Sequence, residues 1–191
     1  YTISKLSCFF LLLIALPILL EIDFVLNIWL GENIPDHTSV FIVIIVLNSF
    51  LNNLNAAVSG LVHASGKIKV YQLCGGTISL VSVVVVYIAM LFWKVPSIAF
   101  IVLLVLDVVR QIVALLVLKS IVNEFSLKAY LQDVVTPLIL VTFVALIFPV
   151  LAHYYLQEGV LRFCLVFTIS IFSIGSCIYV LGLNLSEKNL V

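Results

Sequence analysis

Six apolar stretches, each long enough to cross a bilayer as a helix, follow one another along this chain with only short polar breaks between them. A spanning helix needs about 20 predominantly apolar residues, and the stretches fall near 6–30, 38–62, 71–93, 97–121, 134–155 and 161–181. Spanning strands would instead alternate apolar and polar positions over about 10 residues, a pattern these continuous runs lack. With 64% of residues apolar and 9% charged, the chain holds too few charges to clothe a water-soluble domain of its size. The sequence therefore predicts an all-α integral membrane protein, a bundle of about six transmembrane helices forming one domain over 1–191.

Basic residues fall mostly at alternate breaks. Lys5 precedes the first stretch, Lys67 and Lys69 occupy the second break, Lys119 and Lys128 flank the fourth, and Lys188 lies in the tail. The other breaks hold none near 31–37, Lys94 alone in the third and Arg162 alone in the fifth. Because Lys and Arg favour the cytoplasmic side of short loops, both termini are expected to face the cytoplasm. The net charge of zero hides this asymmetry and gives no sign of a nucleic-acid partner. The start at Tyr1 and Thr2, with acidic Glu21 and Asp23 inside the first stretch, reads as a piece of a longer protein and not as a signal peptide.

Polar residues within the apolar stretches carry the functional information. Asn48, Asn52, Asn55 and Ser59 recur at helical spacing on one face of the second stretch. Intramembrane amides tie helices together, line a hydrated cavity, or contact a substrate. Beside them Ala56, Gly60 and Ala64 form a row of small residues that permits close helix contact. Gln72, Gly75, Gly76 and Ser79 give the third stretch a weaker polar side. The fourth carries Asp107 and Arg110 near its middle, with Gln111 beside them. A lone charge at that depth costs on the order of 3 kcal/mol, which an i,i+3 partner partly offsets. Two readings follow: a self-neutralised pair that locks packing, or an anion site in which Asp107 orients Arg110 towards a central cavity. The planar guanidinium suits a diphosphate because it engages two oxygens together.

Other features have plainer readings. Glu21 and Asp23 offer either a coupling-ion or proton site, or a kink after Pro17 that brings them to the interface. Cys8, Cys74, Cys164 and Cys177 are irregularly spaced and read as small apolar fillers. His37, His63 and His153 share no ligand spacing, so no metal site is predicted. No nucleophile elbow, phosphate loop or zinc-protease motif occurs, no catalytic residue is assigned, no cofactor is implied, and an enzyme is disfavoured.

The segment from Ala64 to Gln72, Ala-Ser-Gly-Lys-Ile-Lys-Val-Tyr-Gln, resembles bacterial polysaccharide flippases of the O-antigen (Wzx-like) type, within the superfamily that includes the multidrug and toxin extrusion transporters. Ile28-Trp29-Leu30-Gly31 with Pro35, Arg110, Tyr179, and Gly182 to Lys188 extend the likeness in order along almost the whole chain. Val84 departs from it, standing where the family often has a proline. The resemblance implies a two-lobed transporter of about 12 to 14 helices, this chain being the C-terminal lobe and its trailing helices. It further implies a bacterial inner-membrane location. Such proteins are thought to turn lipid-diphosphate-linked oligosaccharide across the membrane by alternating access, together with an N-terminal lobe. Candidate cavity residues are then Arg110, Asp107, Asn48, Asn52 and Asn55. Lys67 and Lys69 are read either as a topogenic loop or as a first contact for the diphosphate. The rival readings are a drug or cation exporter of the same superfamily and a non-transporting structural subunit.

Overall fold

In the computed structural model residues 2–31 and 33–188 are described, and among them every regular element is helical. In chain order these are α1 (Thr2–Leu20), α2 (Ile22–Leu30), α3 (Thr38–Ala64), α4 (Ile68–Trp93), α5 (Pro96–Ile121), α6 (Leu127–Tyr130), α7 (Thr136–Tyr155), α8 (Val160–Cys177) and α9 (Leu185–Lys188). Wide π-turns at Leu131–Val135 and Ile178–Gly182 extend α7 and α8. Six helical segments are long and apolar enough to cross a membrane: Thr2–Leu20, Thr38–Ala64, Ile68–Trp93, Pro96–Ile121, Leu127–Tyr155 and Val160–Gly182. By length and composition this is a multi-pass membrane protein.

The first stretch differs from the continuous helix read over 6–30. It begins at Thr2 and breaks at Glu21, which separates α1 from α2. Pro17 lies inside α1, where its missing N–H leaves the Leu13 carbonyl without that helical donor, and the ladder continues past it, the Glu21 N–H reaching back to the Pro17 carbonyl at 3.2 Å. The break thus follows Pro17 in the chain, but lies beyond the turn that a proline disturbs, which is the one before it. At α4 the helix runs unbroken through Val84. The π-turn ahead of Pro137 does lie where a proline acts. A proline ring clashes with the carbonyl four residues back, and a widened turn makes room.

The chain divides into two compact units, Tyr1–Ser39 with Tyr130–Val191, and Val40–Ala129. In the first, α1 buries Lys5, Cys8, Phe9, Leu12, Ala15 and Leu16, a single helical face. That face packs on α7 and α8, which bury Val141, Ala145 and Pro149, and Val166, Ser170 and Ile174. Gly182 lies so close to Phe9 that a Cβ there would come within 2.8 Å of the ring. Trp29, Tyr154 and Tyr155 are more than three-quarters exposed at one end of this unit, where interfacial aromatic residues are enriched.

The second unit is built on α3, α4 and α5. Gly66, with φ +72, turns the chain between α3 and α4. Lys94 adopts the left-handed conformation that ends α4, and Pro96 opens α5 in the position where its missing N–H is harmless. The short connection folds α4 and α5 back as a packed hairpin. Phe41 and Phe100 stack 4.8 Å apart and help seat α3.

Candidate functional site

The amides of α3 and the charges of α5 close into a ring. Asp107 and Arg110 form their ion pair at 2.8 Å. Asn48 donates to the other Asp107 oxygen at 2.6 Å, Asn52 donates to Asn48 at 2.8 Å, and Arg110 donates back to Asn52 at 3.0 Å. Four side chains separated by up to 62 positions thus satisfy one another at membrane depth. Helical periodicity places Asn48 and Asn52 one turn apart on α3, and Asp107 and Arg110 one turn apart on α5. The ring therefore needs only one approach of two helices.

Arg110 also borders a cavity of about 270 Å³ inside this unit. Its polar lining consists of Asn55 from α3, and Tyr71, Gln72 and Ser79 from α4. Tyr71 donates to Asn55 at 3.1 Å, and Ser79 donates to the Gly75 carbonyl at 3.0 Å. Gly75 and Gly76 lie on the wall, and a Cβ at either would meet nothing within 4 Å. The polar side read along 72–79 is thus the α4 wall of the cavity. Of the five N–H donors a guanidinium carries, the ring engages one nitrogen, Nη2. The arrangement holds the guanidinium through Nη2 and leaves its other N–H groups outside the ring, on a residue that borders a polar space.

Lys67 and Lys69 are exposed, in the turn and on the first residues of α4, and neither borders the cavity. The small row Ala56, Gly60 and Ala64, expected to permit close helix contact, is exposed instead, and a Cβ at Gly60 would meet nothing within 4 Å. Gln111 is buried with neither amide atom hydrogen-bonded among the described residues.

Two clusters escaped the sequence reading, both in the first unit. Glu21, 2% exposed, accepts two hydrogen bonds from Arg162 at 2.8 and 3.1 Å and contacts His153 at 2.7 Å. A signal existed: Arg162 stands alone in its break, and Glu21 stands inside an apolar run. At the other end of the unit, buried Lys5 pairs with Glu187, which also accepts from Thr2 and from the Asn184 backbone at 2.9 Å each. Burial would raise the Glu187 carboxyl, but Lys5, Asn184 and Thr2 together outweigh it and hold it below its ordinary value. Among the described residues no three His, Cys, Asp or Glu side chains gather as a metal site.

Set against protein-family models, curated proteins and solved structures, the chain matches none of them.

Proposed function

We propose that this chain is part of a membrane flippase that carries lipid-diphosphate-linked oligosaccharide across the bacterial inner membrane by alternating access, with Arg110 as the contact for the diphosphate. The observation that carries the reading is a midspan arginine held through Nη2 by Asp107 and Asn52 and bordering a polar-lined cavity. Intramembrane ionisable residues mark substrate pathways more often than they serve packing alone, and two-point recognition of phosphate oxygens is what arginine supplies and lysine does not. The ordered resemblance from Ile28 to Lys188 supports the substrate class, and an N-terminal lobe completes the transporter under this reading. Asn48 and Asn52 act as positioning residues, while Asn55, Tyr71 and Gln72 border the space the headgroup enters.

The closed ring also favours a second reading, in which the four side chains serve only to bind α3 to α5. Arg110→Lys and Arg110→Ala in the complete transporter separate the two. Under the flippase reading both accumulate in the membrane, surface polysaccharide falls with Lys, and it falls further with Ala. Normal export by the Ala variant at matched protein level removes Arg110 from the mechanism.

A further inference from the structure

Gln111 is 8% exposed, and neither Oε1 nor Nε2 has a hydrogen-bond partner among the described residues. A buried amide left unpaired is costly, and the hydrocarbon around a spanning helix supplies no substitute partner. On a helix, side chains three and four positions apart are the ones that meet. For Gln111 these are Asp107, Val108, Ala114 and Leu115, of which only Asp107 has a polar side chain. Both Asp107 oxygens are taken, Oδ1 by Nη2 of Arg110 at 2.8 Å and Oδ2 by Asn48 at 2.6 Å. A terminal guanidinium nitrogen and a carboxamide nitrogen each carry two N–H groups, so the idle amide of Gln111 matches the nitrogen that now fills the ring.

We propose that Gln111 is a positioning residue with two states, idle while Arg110 closes the ring and bound to Asp107 once Arg110 has left it. The proposal rests on the reading that Arg110 binds an oxyanion, since that event draws the guanidinium out of the ring. Nε2 of Gln111 then takes the place of Nη2 and donates to Oδ1 of Asp107. Asp107 keeps two amide donors, Asn48 and Gln111, at a depth where a carboxylate without donors is costly. No covalent bond or proton changes hands. The unpaired amide raises the energy of the closed ring and not of the open one, so Gln111 shifts the balance towards release of Arg110 to its ligand.

The test uses the 191-residue chain with Gln111→Leu, with Arg110→Ala and with both, Leu removing the amide while keeping an apolar side chain in the space. In unfolding by sodium dodecyl sulfate titration, Gln111→Leu should be at least as stable as the parent, because no bond is lost. Added to Arg110→Ala it should destabilise, because there the amide already holds Asp107. Inorganic pyrophosphate, titrated by calorimetry in lipid nanodiscs, should bind Gln111→Leu about tenfold more weakly than the parent, the effect of losing one hydrogen bond to a charged group. A residue that merely packs gives one sign in both backgrounds and leaves pyrophosphate affinity unchanged. Gln111→Leu that destabilises the parent, or that does no harm beside Arg110→Ala, overturns the proposal. Where Arg110→Ala does not fold by circular dichroism, Arg110→Met replaces it; if neither folds, the amide does not sustain the ring, and the proposal is overturned. Equal pyrophosphate affinity in parent and Gln111→Leu overturns it whatever the unfolding shows, and leaves the oxyanion reading standing. The change of sign in a chain whose parent ignores pyrophosphate supports the exchange of Gln111 for Arg110 and rejects the oxyanion reading.

Discussion

Ser173 donates its hydroxyl to the Ala145 carbonyl at 2.9 Å, and this one bond explains how α7 carries a proline through its interior. Pro149 has no N–H, so the carbonyl four residues before it, that of Ala145, loses its helical partner. In a bilayer no water replaces it, and freed backbone groups persist only where neighbouring side chains satisfy them. Ser173→Ala should therefore destabilise the chain by about 1 kcal/mol, the size of hydrogen bonds measured between transmembrane helices. Unfolding by sodium dodecyl sulfate titration would read it, and a variant as stable as the parent would show the bond to be dispensable. None of this was legible in the sequence, where Pro149 and Ser173 lie on separate stretches. The ring of Asn48, Asn52, Asp107 and Arg110 was half legible. Each pair announces itself by spacing along its own helix, but that the two pairs meet is a fact of packing. Glu21, His153 and Arg162 were less legible still, because a partner 132 or 141 positions away leaves no periodic trace.

At the scale of elements, α9 holds the chain ends of the first unit together. Lys5, 1% exposed, owes its burial to Glu187, since an uncompensated buried ammonium costs several kcal/mol. The carboxyl of Glu187 is held below its ordinary value of 4.5, so it binds fewer protons folded than unfolded. Its contribution is complete above that value and is lost as pH falls through the depressed folded value. Glu187→Gln should thus destabilise the chain at neutral pH, and the gap between variant and parent should close on acidification below 4.5. A pH-independent gap would mean that the carboxylate charge is not what holds α9. Read from the sequence, Lys5 was only a topogenic residue, because composition tells which side a lysine favours and not what it touches. The helices themselves were legible, since apolar length alone sets them. Their interruptions were less so: no proline follows Glu21 by four residues to mark the break there, and of the two π-turns only the first, just ahead of Pro137, has a residue that announces it.

For the whole molecule, the orientation argued from basic residues predicts opposite accessibility for two loops. Gln157 lies between α7 and α8 and should be outside; Lys67 lies between α3 and α4 and should be inside. Single cysteines at the two positions should react with an impermeant thiol reagent in intact cells at 157 alone, and labelling at 67 would reverse the orientation. The exposed Trp29, Tyr154 and Tyr155 mark the interface on the Gln157 side. Continuous apolar runs made the succession of six long apolar helices the most legible feature of all, because the bilayer demands one length of every segment. The division into two compact units was not legible, since it rests on the return of 130–191 to 1–39.

The central claim is that the space beside Arg110 is hydrated and receives an oxyanion. Cys74 lies on its wall and is a native reporter, once Cys8, Cys164 and Cys177 are replaced by alanine. Rates of Cys74 modification by a water-soluble thiol reagent would be measured in nanodiscs with and without pyrophosphate, in the Arg110 parent and in Arg110→Ala. The account predicts that Cys74 reacts, that pyrophosphate slows the reaction, and that the protection disappears in Arg110→Ala. A Cys74 that stays unreactive, or protection that survives the loss of Arg110, would contradict it.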